Sequence, residues 1–424
     1  MSEGPGRGQW PAASRLVDLV APGDPSADRS PGLAWATFAD GRVTGSGGLG
    51  VARYRADREA GAAGDSAMRA DTRMRVASIS KIGVAVAAHR LVADGKLSLD
   101  ADISDVLGFR VRNPAHPDAP LTLAQLLAHT SSLRDGEVYW SRIGERLSDF
   151  LTPGAARWET GRFAAHAPGA AFAYCNLGYG VIGTLIEASS GKRFDHAMRD
   201  LVLAPLGIDG GYNWSGVSDA DVAASAACYR LVKGAWTLQT DALDGLKVRP
   251  TALGVGPAGV PDGPVGVNAV ILNPQGGLRA SALDLALLGA DLASGASRLL
   301  PQAAIDRLSD AVWRPRPGGQ DDTQGGFFQA FGLGLQKLVG VPGGDGAISG
   351  QTRPLVGHFG DAYGLKGALL WERESRRGFA YLLNGTPAAP KPASRAAMAQ
   401  LEQDALQILH DWAICEGQCP PSSF

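Results

Sequence analysis

From Gly32 to Val51 the chain alternates apolar with small or polar positions on either side of Asp40-Gly41. A period of two is the signature of a half-buried strand, and an Asp-Gly step between two such runs marks a tight hairpin turn. A short helix over 11–20 (PAASRLVDLV) is predicted to precede it. Residues 78–94 (SISKIGVAVAAHRLVAD) read as a helix that opens at Ser78 and stops at Gly95. Its middle is small and apolar nearly all round, which predicts burial on every face. Further helices are predicted over 121–129, within 171–190 up to Ser190-Gly191, over 281–292 and over 393–412, the last with apolar positions at helical spacing. Tyr229 to Leu238 reads as a hairpin around Lys233-Gly234, and Pro257 to Gly266 as a Pro/Gly loop. After a loop over 314–326, strands are predicted at 331–339, 364–371 and 378–383, the last two joined at Arg376-Arg377-Gly378.

The order is helix, strands, a long helical middle, strands, helix. This predicts an α+β fold in which strands from both ends form one antiparallel sheet covered by the terminal helices. Residues 1–75 and 270–424 are assigned to that sheet region, and 76–269 to an inserted, mainly helical region.

Composition narrows the function classes only by exclusion. The 424 residues carry a formal net charge of -2 and no Lys/Arg block, so there is no electrostatic case for nucleic acid or an anionic membrane as partner. No apolar run is long enough to span a bilayer. Met1 to Trp10 lacks an apolar signal-peptide core, so the chain as it stands reads as cytoplasmic, or as periplasmic or secreted if a signal has been removed. Four cysteines do not make a disulfide scaffold; Cys415 and Cys419 are close enough in sequence to bridge or to remain free thiols. No metal or organic cofactor is implied. The oligomeric state is left open.

Three short motifs carry candidate chemistry. Ser78-Ile79-Ser80-Lys81 is an S-x-x-K. On a helix, positions i and i+3 share a face, about 5–6 Å apart at Cβ. A serine hydroxyl needs a base to become a nucleophile, and a lysine desolvated by an apolar helix loses basicity and can serve as one. The pattern alone also fits an ordinary helix cap with a solvated lysine, and Ser189 to Lys192 matches it too; there a Gly follows the helix, so that lysine is not placed on the serine's face. Tyr174-Cys175-Asn176 follows a Pro/Gly/Ala loop and precedes an apolar helix, where a phenol can relay a proton if a cation lowers its pKa and an amide can orient a substrate. His358-Phe359-Gly360 is placed in a loop before the strand at 364–371; Gly360 permits close backbone approach, and the N–H of Asp361 can point with that of Ser78 at an oxyanion.

In this order the motifs resemble the serine β-lactamase and penicillin-binding-protein superfamily, whose S-x-x-K is paired with later motifs on the other site walls. The Y-x-N middle motif is similar to that of class C β-lactamases, DD-peptidases, D-aminopeptidases and family VIII carboxylesterases. Residues 94–100 (DGKLSLD), 126–133 (LLAHTSSL), 176–185 and Gly276-Gly277-Leu278 also look familial, and the resemblance spans about 30–412. It implies a β-lactamase/transpeptidase-like fold, with Ser78 as nucleophile, Lys81 and Tyr174 sharing the proton transfers, Asn176 orienting, His358 in the place usually held by the lysine of K-T-G, and the N–H groups of Ser78 and Asp361 as oxyanion hole.

Two departures bear on substrate. A histidine is often neutral at pH 7 and gives no fixed cation for a substrate carboxylate. Phe359 stands where many relatives have a small polar residue. Both changes favour a neutral small-molecule ester or amide over a β-lactam; the first reading is a carboxylesterase of the family VIII kind, the second a D-amino-acid peptidase or amidase, which the H-x-G motif also fits well, then a β-lactamase, and outside hydrolases a non-catalytic ligand-binding module on the same fold. Ser132 stands where relatives usually have Gly, His129 is read as holding loop backbone, and Trp140, Trp158, Trp214 and Tyr363 are expected to wall the pocket. No G-x-S-x-G elbow points to an α/β-hydrolase.

Overall fold

The computed structural model describes residues 14–23, 28–57, 64–239, 242–243, 246–247, 263–387 and 389–415. The opening hairpin is β1 (Gly32–Ala39) and β2 (Arg42–Arg53), and Asp40 and Gly41 both take positive φ, 46° and 79°, as a two-residue hairpin turn of this hand requires. After short strands β3 (Ser66–Ala67) and β4 (Met74–Arg75) come helices α1 (Ser80–Ala93), α2 (Leu123–Leu127) and α3 (Asn176–Ser190). Gly95 and Gly191, with φ of 68° each, follow α1 and α3 where a left-handed residue is needed to turn the chain away. Next are β5 (Gly211–Tyr212), the hairpin β6 (Cys228–Val232) and β7 (Ala235–Gln239), β8 (Leu278–Ala280), α4 (Ala282–Ala293) and α5 (Gln302–Ser309). Strands β9 (Gln336–Leu338), β10 (Leu355–Ala362), β11 (Leu365–Glu372) and β12 (Arg377–Leu383) and helix α6 (Gln400–Ala413) complete it.

Seven strands form one antiparallel sheet in the order β9-β10-β11-β12-β1-β2-β3. Strands from the two ends of the chain meet at its centre, where Leu33 pairs with Leu383 and Ala39 with Arg377. Side chains alternate between two cores. Phe379, Tyr381 and Leu383 face α6 and the 3₁₀ turn Leu16–Leu19, whereas Ala380 and Leu382 join the larger core containing α1, α3 and α4. A separate sheet, β4-β8-β5, lies beside α1 and puts Arg279 opposite Arg75. The α+β class and the covered antiparallel sheet are as expected.

Several elements differ from expectation. His358-Phe359-Gly360 lies on β10 and not in a loop. Both faces of β10 are covered, so its sequence (LVGHFGDA) shows no alternation, and its two glycines read as turn signals. Of 331–339 only Gln336–Leu338 is a strand, because Gly334 bends beneath α1 with φ 131°, where a Cβ would lie 2.4 Å from Ala85 Cβ. The turn before β12 ends at Arg376, φ 56°, and the strand already begins at Arg377. The helix expected over 393–412 begins at Gln400, and that over 121–129 is confined to Leu123–Leu127, opened by a reciprocal Thr122/Gln125 cap. Helix α5 was not anticipated. The segments 1–13 and 257–262 and Cys419, on which the signal-peptide reading, parts of a helix and a loop, and the cysteine pairing rest, lie outside the described residues.

Helix α4 lies directly on β1 and β11 at Gly289, where a Cβ would stand 2.5 Å from Phe38 Cζ and 2.7 Å from Leu369 Cδ1. Gly289→Val should therefore destabilise the fold by about 1–3 kcal/mol through overpacking, measured as a lower urea midpoint at unchanged m-value.

Candidate active site

The site lies where α1, α3, β8 and β10 converge, at the floor of a cleft of about 960 Å³. Ser78 occupies a 3₁₀ turn, Ala77–Ile79, that feeds into α1, so it precedes the α-helix and does not cap it. Ala77 carries φ 47°, a strained value for a residue with a Cβ. The turn is held from several sides. Ser80 Oγ donates to the Ala77 carbonyl at 2.6 Å and accepts from Leu278 N at 3.0 Å, while Tyr212 Oη donates to the Ser80 carbonyl at 2.8 Å.

Lys81 is wholly buried. Its Nζ lies 2.9 Å from Ser78 Oγ, 2.8 Å from Asn176 Oδ1 and 2.8 Å from the Gln275 carbonyl. Burial pulls its pKa down to about 7, with Asp135 and Cys175 acting weakly in the other direction. Two of the three neighbours are carbonyl oxygens, which only accept. A neutral Lys81 therefore directs its two N–H bonds at them and keeps its lone pair for the Ser78 hydroxyl proton.

The amide orientation of Asn176 is set from behind. Its Nδ2 donates to Asp135 Oδ2 at 2.8 Å, while Leu177 N and Cys175 Sγ approach Asp135 Oδ1 at 2.8 and 3.4 Å. The segment carrying Asp135 is gripped by Arg162, a fully buried guanidinium that donates to the carbonyls of Arg134, Asp135 and Val138. Asp135 has no place in the sequence reading. The stretch 126–133 ends two residues short of it, and the Asp-Gly step there reads as a turn.

Tyr174 reaches the site from the segment before α3. Its backbone neighbourhood is tied to a distant loop by Phe172 N donating to Asp321 Oδ1 at 2.7 Å and Asp322 N to the Phe172 carbonyl at 2.8 Å. The Lys81 Nζ stands 4.9 Å from the Tyr174 ring centroid. Burial nevertheless pushes the phenol well above its usual pKa, and the Ser78 hydroxyl opposes this only in part. The neutral phenol is thus the resting form, in place of the cation-lowered phenol that the sequence reading invoked.

His358 lies 3.5 Å from the phenol oxygen through Nε2, while Nδ1 is 2.7 Å from the Phe359 carbonyl. A carbonyl only accepts, so Nδ1 bears the hydrogen and Nε2 is the acceptor for Tyr174. Burial first, and then the Lys81 charge, pull His358 down to about 3. Gly360 is packed against the back of the Ser78 turn, and a Cβ there would fall 2.5 Å from the Val76 carbonyl. Asp361 lines the cleft at the end of β10, its carboxylate 2.7 Å from Lys366 Nζ.

His129 accepts from Cys175 N at 3.1 Å and so fixes the backbone between Tyr174 and Asn176. Ser132 has φ 64°, the left-handed backbone that a glycine adopts freely, and its Oγ accepts from Asn113 Nδ2 at 3.0 Å. Lys192 of the discarded S-x-x-K is on the surface, paired with Asp200. Trp140 and Tyr363 line the cleft; Trp158 and Trp214 do not, because Trp158 packs beside Phe163 and Trp214 is buried next to the Arg279 guanidinium. Among the described residues no helix is long and apolar enough to cross a membrane.

The Beta-lactamase family model matches residues 16–403. The chain is 31% identical over 186 residues to penicillin-binding protein 4 of Amycolatopsis lactamdurans, covering 42% of this chain and 43% of that protein. It is 37% identical over 164 residues to esterase EstB of Burkholderia gladioli, covering 36% and 40%. The chain thus spans about two fifths of the length of these curated relatives. The D-amino acid amidase of Ochrobactrum anthropi SV3, solved with L-phenylalanine amide, shares the fold at TM-score 0.64 and 19% identity over 94% of this chain and 96% of that one. The penicillin-binding-protein homologue of Pyrococcus abyssi does so at TM-score 0.61 and 20% identity, over 93% and 76%.

Asp135→Ala strips acceptors from Asn176, Leu177 and Cys175 at once. It should cost about 1–3 kcal/mol for each buried donor left unpaired, seen as a fall in unfolding free energy by denaturant titration.

Proposed function

This chain belongs to the Beta-lactamase family, and we propose that it is a serine hydrolase that cleaves carboxylic esters through an acyl-enzyme on Ser78. The observation that carries this reading is the environment of Lys81: a buried amine with lowered basicity, its N–H bonds taken by two carbonyls and its remaining direction facing a serine oxygen at 2.9 Å.

In the proposed reaction Lys81 accepts the Ser78 proton as Oγ bonds to the ester carbonyl carbon. The carbonyl oxygen becomes an oxyanion, received by the N–H groups of Ser78 and Asp361. The bond to the alkoxy oxygen then breaks, and Tyr174 delivers a proton to it, replenished from the Lys81 ammonium. Water attacks the acyl carbon with Lys81 again as proton acceptor, and the acid leaves as Ser78 regains its proton. Asn176 keeps the amine oriented, and neutral His358, 3.5 Å from the phenol oxygen, holds the O–H at rest until it turns to the departing oxygen.

Esters are favoured over D-amino-acid amides on two grounds. One is the 37% identity to a protein named as an esterase. The other is the charge pattern. An amino-acid amide presents an ammonium, and although Asp361 and Glu402 line the cleft, Lys366 Nζ bridges them at 2.7 and 3.0 Å, and Arg75, Arg142 and Arg279 line it as well, so no surplus of negative charge awaits that ammonium. Neutral His358 likewise supplies no cation for the carboxylate of a β-lactam.

Ser78→Ala should lower kcat for p-nitrophenyl acetate by about a thousandfold or more with the circular dichroism spectrum unchanged; retained turnover overturns the reading.

The pH dependence follows from Lys81. Below about 7 the amine is protonated and cannot take the serine proton, so kcat/KM should fall about tenfold per pH unit on that side and level off above it. A midpoint near the ordinary lysine range would overturn the lowered basicity of Lys81 on which this reading rests.

A further inference from the structure

One wall of the cleft is apolar and continuous with the core beneath α6. Phe327 and Met398, both half-buried, pack against that core and line the cleft with Phe328 and Phe359. The rings are in series. Phe359 meets Phe327 edge-on at 5.1 Å between centroids, Phe327 meets Phe328 edge-on at 4.9 Å, and Phe328 stacks on Tyr174 at 5.1 Å with planes 14° apart. The opposite wall is polar, built from Asn213, Asn273, Gln275 and Arg279. A substrate carbonyl at Ser78 is therefore flanked by an apolar surface on one side and by polar, partly cationic side chains on the other.

The position of Tyr174 tells which part of the substrate meets which wall. The group that protonates the departing oxygen must lie within hydrogen-bond reach of it, and this phenol is stacked on Phe328 at the end of the aromatic series. We infer that the wall formed by Phe327, Phe328, Phe359 and Met398 receives the leaving alcohol, and that the enzyme selects esters of apolar, above all aromatic, alcohols. This inference rests on the ester-hydrolase reading given above and adds the substrate half that determines selectivity. A flat hydrocarbon group there meets ring edges and faces at the spacing aromatic pairs prefer, while the acyl group is directed toward the polar wall.

The test uses two ester series with the full chain. The alcohol series is methyl, butyl, cyclohexylmethyl and benzyl acetate; the acyl series is methyl acetate, methyl butyrate and methyl phenylacetate. The unsubstituted protein should prefer benzyl over methyl acetate in kcat/KM. Phe327→Ala should lower the benzyl-to-methyl ratio about tenfold, the order expected for losing apolar contact in a specificity pocket, whereas Phe327→Leu keeps most of it. Met398→Ala, on the same wall but outside the ring series, should lower the ratio less. Labelling of Ser78 by a fluorophosphonate in each variant establishes that the site is assembled. An unchanged benzyl-to-methyl ratio in Phe327→Ala that still labels overturns the inference and leaves the ester reading intact. A shift confined to the acyl series overturns it as well, by assigning the wall to the acyl group. Absence of Ser78-dependent hydrolysis of every ester in the unsubstituted protein removes the reading and the inference together.

Discussion

An amine withdrawn from water must satisfy its N–H bonds or be expelled, and the architecture around Lys81 is built on that constraint. Three protein oxygens surround the nitrogen, and the two that belong to carbonyls are fixed by unrelated parts of the chain: Asn176 at the start of α3, and Gln275 in the turn leading to β8. Asn176 presents oxygen and not nitrogen because Asp135 takes its amide hydrogens, and Asp135 stays in place because Arg162 grips its backbone. A cationic side chain buried 27 residues from Asp135 in sequence thus helps set which end of the Asn176 amide faces Lys81. The apolar helix around Lys81 lowers its basicity, and the carbonyls set its direction. Neither effect alone yields an amine of lowered basicity aimed at a serine.

The second constraint is steric. Strand β10 runs close behind the Ser78 turn because Gly360 has no Cβ to meet the Val76 carbonyl, and Ala77 is kept at positive φ by the hydrogen bond to its carbonyl from Ser80. Backbone strain at this turn and backbone proximity at the strand have one outcome: Ser78 stands clear of the helix that follows, half-exposed to the cleft. The histidine of β10 enters the same arrangement as a neutral acceptor, since a protonated ring would face both desolvation and the Lys81 charge.

What the sequence made legible was local pattern plus motif order. Asp40-Gly41, Gly95 and Gly191 announce their turns through backbone conformations few other residues adopt, and the apolar run of α1 announces burial. Serine, lysine, tyrosine and asparagine were found as short-range patterns, and the structure brings them together with His358. Strand β10 was hidden because a strand covered on both faces has no polar phase, and its glycines look like punctuation. Asp135, Arg162 and the Gln275 carbonyl were invisible for another reason. Their roles are hydrogen bonds across long stretches of chain, made by residue types that occur everywhere, and a backbone oxygen carries no sequence signal at all. Likewise the phenol's raised pKa follows from burial that only the folded chain defines.

The pairing of β1 with β12 has a consequence for how the protein comes into being. Leu33 and Leu383 are neighbours in the finished sheet, yet most of the chain lies between them. Closing so large a loop is entropically slow, and topologies dominated by such distant contacts fold late relative to local helices. The hairpin β1–β2 is made well before β12, and one of its edges waits for that partner. Helices α1 and α3 can gather in the meantime, but the floor behind Ser78 arrives only with β10. The nascent protein therefore passes through a long interval with an unpaired central strand and no working cleft, during which its chief hazard is the wrong neighbour at that edge.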